Sequence, residues 1–410
     1  MELIGHLFPV MGKKKEKKEE EKNMVKNGGI VLEEVISTGN GRCNPIRIFS
    51  VEQLKNATNN FQSPCFGNYH DWFKACLNNR PVLIRTSFRQ GYMKSELACR
   101  DIAITSQMSS HNRVLKLIGC CLELPVPALV YEDNECVPLD TRGYISGNGS
   151  ALPWKTRLRI AKDVASALTY LHTTFSTPIV HRDVTPSNVF LDKDFVPKLS
   201  DFSLSISIPK GETRVKDQLA GSGGFVDPEY ARTSFVTEQS DVYSFGVFLL
   251  VLLTGKSPIT QPDGIDFVCL TEFVQDKPWD EVMDPKILEE EGVIEEEHKL
   301  QALLNLGLRC IQTKADDRPM MIDVAKELLQ MQRSEGGSKI GKKWETYMLP
   351  DLRVIKESRV ITSMEDQAEN IKGNYPCTSD VYTAFCKPII RPIVKAEKVF
   401  LDKDFVPKFM

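Results

Sequence analysis

Apolar residues fall in short blocks in the first part of the chain and at helical spacing further on. Val82-Leu83-Ile84 and Ala128-Leu129-Val130-Tyr131 have the length of short buried strands. Between them, Asp101 to Met108 fits a helix. Phe49-Ser50-Val51-Glu52-Gln53-Leu54, followed by Ala57-Thr58-Asn59-Asn60-Phe61, reads as a capped amphipathic helix entering a globular unit at about Ile46. Beyond Trp154 the pattern is mostly helical. It closes near Gln332, ahead of the turn-rich Ser334-Glu335-Gly336-Gly337-Ser338. The pattern therefore predicts an α+β domain over 46–332, with a small strand-rich part and a larger helical part. The longest apolar block, around Phe245 to Leu253, is too short to span a bilayer and reads as a buried helix of the larger part.

Composition adds limits more than it adds function. The 410 residues are 41% hydrophobic and 26% charged, enough apolar content for a large core. A net charge of -3 gives no reason to expect nucleic acid. Eleven cysteines show neither metal-ligand spacing nor a paired framework, which favours a reducing compartment. Cys120-Cys121 read as small apolar residues of a strand. The first eleven residues are mildly apolar, but the basic run follows them, so they do not form a secretion signal.

Both ends look like extensions. Residues 12–22, Gly-Lys-Lys-Lys-Glu-Lys-Lys-Glu-Glu-Glu-Lys, read either as a membrane-surface contact or as a solvated tail or frayed helix. The interleaved acids cancel most of the field and favour a charged tail over 1–45. Gly12 as a lipidation site is opposed by Glu16, where such a signal takes Ser or Thr. At the other end, residues 399–408 repeat residues 189–198 without a change, and Pro392-Ile393-Val394 echoes Pro178-Ile179-Val180. The repeat is too short for a structural unit. It reads as a fragment of a duplicated gene or a misjoined gene model, within a 333–410 extension expected to be poorly ordered from 340 on.

The chemistry sits in one segment. His181-Arg182-Asp183-Val184-Thr185-Pro186-Ser187-Asn188 has the form of a protein-kinase catalytic loop, H-R-D-x-K-P-x-N, with Thr185 in place of lysine. Asp201-Phe202-Ser203 follows where Asp-Phe-Gly belongs, and Asp227-Pro228-Glu229 where Ala-Pro-Glu belongs. Asp183, Asn188 and Asp201 match a base-positioning aspartate and two magnesium ligands. Thr185 removes the cation that would meet the transferring phosphoryl group, a loss worth roughly 10²–10³ in rate. Aligning Trp72-Phe73-Lys74 with the V-Y-K after a glycine loop puts Cys65, Gly67 and His70 at the glycine positions, so two of three are gone. Val82-Leu83-Ile84-Arg85 stands for V-A-I-K, and Asp101 stands where the helix glutamate is expected. The longer arginine and shorter aspartate predict a retained pair with two parallel hydrogen bonds. Gly67, Arg85, Asp101, Tyr131 and Glu132 are the candidate nucleotide-side residues. Glu229 with Arg318 matches a buried ion pair of the helical lobe, and Asp241 matches the aspartate that braces the catalytic loop. Thr213 and Ser222 are the hydroxyls offered by the activation segment, 201–229.

Over residues 46–332 these motifs resemble plant receptor-like kinases. Gly119-Cys120-Cys121-Leu122-Glu123, Phe225-Val226-Asp227-Pro228-Glu229-Tyr230 and Ser240-Asp241-Val242-Tyr243-Ser244-Phe245-Gly246-Val247 resemble the wall-associated branch. The degenerate glycine loop, Thr185 and the opening Asn44-Pro45-Ile46-Arg47-Ile48-Phe49-Ser50 resemble the ZRK group of short cytoplasmic pseudokinases. The resemblance implies a two-lobe protein-kinase fold. It also implies an adaptor that binds a plant NLR immune receptor and receptor-like cytoplasmic kinases, in the cytoplasm or at the inner face of the plasma membrane, with no transmembrane segment. ATP with magnesium is the cofactor it implies, and Cys65, His70, Arg85 and Thr185 count against binding. Two rivals stay open: a weak ATP-dependent serine/threonine kinase using Asp183, Asn188 and Asp201, and a nucleotide-binding switch without transfer.

Overall fold

A computed structural model describes residues 7–39, 45–66, 71–87, 94–108, 110–260, 268–275, 277–333, 399–401 and 407–409. The smaller lobe is a five-stranded sheet in the order β1-β4-β5-β3-β2. Its strands are β1 (Arg47–Ile48), β2 (Asp71–Leu77), β3 (Arg80–Thr86), β4 (Leu117–Cys121) and β5 (Ala128–Glu132). All pairings are antiparallel except β1 with β4. The period of two decides what each face packs against. Phe73, Val82, Ile84, Ala128 and Val130 pack with Leu54 of α2 (Val51–Ala57) on one face. Trp72, Leu83, Leu129 and Tyr131 pack on the other with Ala98 and Ile102 of α3 (Ser95–Met108).

The expected helix near residue 50 is α2. Ser50 caps it: the Gln53 N–H donates to the Ser50 hydroxyl at 3.2 Å, and the Ser50 N–H donates to the Gln53 side chain at 2.9 Å. Glu123 adds an acceptor for the Val51 N–H at 2.7 Å. Gly119 is required where β1 meets β4, because a Cβ there would run into the Arg47 carbonyl and the Phe49 ring.

The charged N-terminal segment differs from the tail expected of residues 1–45. Residues Leu7–Gly39 form one long helix, α1. Its second half packs along α3 and the end of β4. Asn27 is fully buried and donates to the carbonyls of Leu122 and Leu124, both at 2.9 Å. Asn23 donates to the Glu123 carbonyl at 3.1 Å, Gln107 donates to the Thr38 hydroxyl at 2.7 Å, and Glu34 pairs with Arg100 at 3.2 Å. The contact mixes these polar groups with Val31 and Val35, so apolar spacing alone did not announce it.

The larger lobe is built around α4 (Trp154–Thr173) and α6 (Glu238–Thr254), with helices Glu297–Cys310 and Met321–Arg333 packed against them. Phe245 to Leu253 lies in α6 and is buried throughout, as expected. Gly246 permits the close approach of α6 to Cys310, whose Cβ would lie 2.7 Å from an added methyl. Three strands join the lobes at the cleft: β6 (Val137–Pro138), β8 (Val189–Leu191) and β9 (Pro197–Leu199), with β7 (Ile179–Val180) ahead of the catalytic loop. A short α5 (Pro228–Thr233) ends the activation segment.

The repeated tail segment forms Val399–Leu401 and Pro407–Phe409, paired in the register of its first copy, Val189↔Leu199 through Leu191↔Pro197. The expectation for residues 340–398 lies outside the described residues. No helix among the described residues is long and apolar enough to cross a membrane.

Candidate functional site

Three charged side chains meet between the lobes. Arg85 comes from the end of β3, Asp101 from α3, and Asp201 from the turn after β9. Arg85 Nη2 lies 2.6 Å from Asp101 Oδ2, and its Nη1 lies 3.1 Å from Asp201 Oδ1, all of them essentially out of contact with water. The predicted Arg85–Asp101 pair exists, but its geometry does not match the prediction. The guanidinium is divided between two carboxylates and does not form a two-bond fork with Asp101 alone.

The two carboxylates have further partners. Asp101 Oδ1 accepts from the Thr105 hydroxyl at 2.8 Å and from the Phe202 N–H at 3.1 Å. This ties α3 to the Asp201-Phe202-Ser203 turn. Ser203, standing where glycine was expected, donates its hydroxyl to Asp201 Oδ1 at 2.6 Å. Asp201 holds a left-handed backbone, φ 63°, which a short polar side chain tolerates.

Burial and neighbouring charge act against each other in this cluster. Burial alone would lower the pKa of the Arg85 guanidinium, but the carboxylates of Asp201 and Asp101 outweigh it and hold that pKa above its usual value. Burial pushes the Asp101 carboxyl up, an effect that Arg85 opposes and Asp201 adds to. Tyr131 lies beside the cluster, fully buried, its hydroxyl without a hydrogen-bond partner among the described residues. Burial and then Asp101 raise its pKa well above the phenol value.

The catalytic loop keeps its shape. Asp241 accepts from the backbone N–H of His181 at 2.7 Å and of Arg182 at 2.8 Å, so it braces the loop as predicted. His172 Nε2 lies 2.8 Å from the same carboxylate. Asn188 donates to the Asp183 carbonyl at 2.8 Å and to Asp183 Oδ2 at 2.9 Å. Thr185 is buried at the start of the single turn Pro186–Asn188 and makes no capping bond. Arg182 reaches the activation segment, pairing with Asp217 at 2.6 Å and donating to the Gln218 carbonyl at 2.7 Å and to Tyr230. Thr213 is exposed and Ser222 is half-buried.

Deeper in the cleft, Trp72 of β2 and Phe190 of β8 touch across the lobes. Their ring centroids are 4.7 Å apart at 55°. Phe66 stands edge-on to Phe190 at 6.1 Å, and Trp72 contacts Tyr131 at 5.6 Å. Sequence reading missed both inward-facing rings. The available signal was bulk: Trp72 stands where the aligned pattern has a valine. Gly67 and His70 lie outside the described residues. Cys65 is described: its N–H donates to the Trp72 carbonyl at 2.8 Å. Glu132, a candidate nucleotide contact, instead directs its carboxylate to Arg80 and, at 3.8 Å, to Lys116 on the sheet surface.

ATP with magnesium would have to be held by these residues. Asp201 Oδ1 already faces a guanidinium and a hydroxyl, and a triphosphate would need Arg85 to leave two buried carboxylates. A base between flanking groups needs about 7 Å, two ring-stacking distances, and Trp72 and Phe190 are in direct contact. The residues present do not fit the group.

In the larger lobe, Arg318 pairs with Asp227 at 2.7 Å, not with the predicted Glu229. Asp227 is the N-cap of α5 and is buried, whereas the Glu229 carboxylate accepts from the Ala315 N–H at 2.6 Å.

Comparison with known proteins agrees with this architecture. The family described as protein tyrosine and serine/threonine kinase matches residues 57–328. The non-functional pseudokinase ZED1 of Arabidopsis thaliana is 43% identical over 316 residues, covering 74% of this chain and 94% of its own. The serine/threonine-protein kinase ZRK1 of the same plant is 42% identical over 344 residues, covering 79% and 96%. The wall-associated receptor kinase-like 1 is 34% identical over 336 residues, covering 80% of this chain and 45% of that protein.

Proposed function

This chain belongs to the protein tyrosine and serine/threonine kinase family, and we propose that within it the protein is a pseudokinase, a non-catalytic adaptor in plant immune signalling. The observation that carries the reading is the Arg85 guanidinium set between Asp101 and Asp201. A metal ligand paired with a fixed internal cation is a poor site for a second cation. Thr185 in place of the catalytic-loop lysine supports the same reading, as do relatives named non-functional pseudokinases. The partners we propose, by resemblance to the ZRK group, are a plant NLR immune receptor and receptor-like cytoplasmic kinases. They would meet the larger lobe and the activation segment in the cytoplasm or at the inner face of the plasma membrane.

One observation favours a second reading. Asn188 and Asp183 keep a hydrogen-bonded arrangement, and a relative at 42% identity is named a serine/threonine-protein kinase. Phosphoryl transfer from labelled ATP with magnesium or manganese, compared with Asp183→Asn, decides between them. The expected result is the same background in both proteins. Incorporation that disappears in Asp183→Asn would make the chain a working kinase.

A further inference from the structure

The cleft differs from a nucleotide site in two adjoining groups of residues. Arg85 blocks the phosphate and metal end. The aromatic contact lies next to it: Trp72 is the cross-strand neighbour of Arg85 on the same face of the sheet, and Phe190 reaches Trp72 from β8. Trp72 is 6% exposed and Phe190 1%, and with Leu83, Tyr131 and Cys136 they belong to one apolar cluster. That cluster is assembled mainly from the sheet of the smaller lobe, while Phe190 is supplied from the other side of the cleft, on β8. Leu83 stands where the V-A-I-K pattern has alanine, so a third position around the slot carries extra bulk. Phe66 closes the outer side, with the Lys74 ammonium 5.8 Å from its ring.

We propose that Trp72 and Phe190 are a built-in substitute for a purine base, joining the two lobes permanently and excluding purines independently of Arg85. A planar ligand between the lobes normally supplies apolar contact to both. Here the indole and phenyl rings supply it to each other, at a separation that leaves no room for a third ring. The proposal rests on the non-catalytic reading of the same cleft, yet it depends on different residues and can fail separately.

Adenosine is the probe, because it carries no phosphate and makes no demand on Arg85 or on a metal. The full chain and its Trp72→Val, Phe190→Leu and Trp72→Phe variants are titrated by calorimetry, with folding checked by circular dichroism. The expected result is no saturable heat for the wild type or Trp72→Phe. Trp72→Val and Phe190→Leu should bind roughly tenfold tighter than the wild type or better, unchanged by EDTA. If Trp72→Val fails to fold, Phe190→Leu carries the test, since it removes less volume. Saturable adenosine binding by the wild type would overturn the proposal. So would folded variants that bind no better than the wild type. Phosphoryl transfer by Trp72→Val is measured alongside. Adenosine binding without transfer supports both readings, whereas transfer gained on opening the slot would sink the non-catalytic reading and leave the aromatic plug standing.

Discussion

Arg85 and Arg318 are both buried, one in each lobe, and their surroundings differ in kind. Arg318 donates to the Gln312 carbonyl at 2.7 Å, the Gln239 carbonyl at 3.0 Å and the Thr313 carbonyl at 3.2 Å, and pairs with Asp227 at 2.7 Å. The ring of Tyr243 lies 5.0 Å from its guanidinium carbon. Every nitrogen is directed at an acceptor fixed by the backbone or by a helix cap. Arg85 faces two carboxylates, those of Asp101 and Asp201, at 2.6 and 3.1 Å. In the scaffold the guanidinium works through direction, and in the cleft it works through charge. A directional site holds a shape, whereas a charge-cancelling site neutralises buried carboxylates. Arg157 belongs with the scaffold, donating to the carbonyls of Leu152 and Leu252 at 2.6 and 2.7 Å and pairing with Asp284 at 2.6 Å.

The largest effect should follow from emptying the directional site. Arg318→Met leaves Asp227 as a buried unpaired charge and removes donors from three carbonyls. A loss of about 3–5 kcal/mol is expected, read as a shift of the denaturant midpoint at constant slope. A loss no larger than that of an ordinary surface change would remove Arg318 from the scaffold. Lysine then sharpens the contrast. Arg318→Lys keeps the charge and gives up the fork, at a cost of about 2–3 kcal/mol. Arg85→Lys keeps what its site uses and should cost about 1 kcal/mol or less. If Arg85→Lys proves the more damaging of the two, the distinction between charge and direction fails.

What the sequence disclosed follows the same division. The catalytic-loop segment, the two strand blocks and the buried helix through Phe245 to Leu253 were legible because local spacing alone determines them. The Arg85–Asp101 pair was legible as complementary lengths. Its third member was not, because Asp201 lies more than a hundred residues from Arg85 and meets it only in the folded chain. Trp72 and Phe190 face each other for the same reason, from strands more than a hundred residues apart. Arg318 was matched to Glu229 when its partner is Asp227, two residues earlier. The turn opening α5 makes that choice: it buries the cap residue and points the next carboxylate at the Ala315 N–H. The docked half of α1 left only a broken apolar stripe, since polar Asn27 and Thr38 share its buried face with Val31 and Val35.

That helix supplies the smallest effects and tests the comparison within a single element. Asn27 behaves like the scaffold arginines, with one amide directed at the carbonyls of Leu122 and Leu124. Asn27→Ala leaves two buried acceptors unpaired and should cost about 1–2 kcal/mol, with faster amide hydrogen exchange along the second half of α1. One turn earlier, Lys22 and Glu19 form an exposed pair at 3.5 Å, a contact that rests on charge and is screened by water. Lys22→Ala should change stability by about 0.5 kcal/mol or less, with no change in exchange near Asn27. A large effect at Lys22 with none at Asn27 would mean that charge, not aligned hydrogen bonding, holds α1 to the sheet.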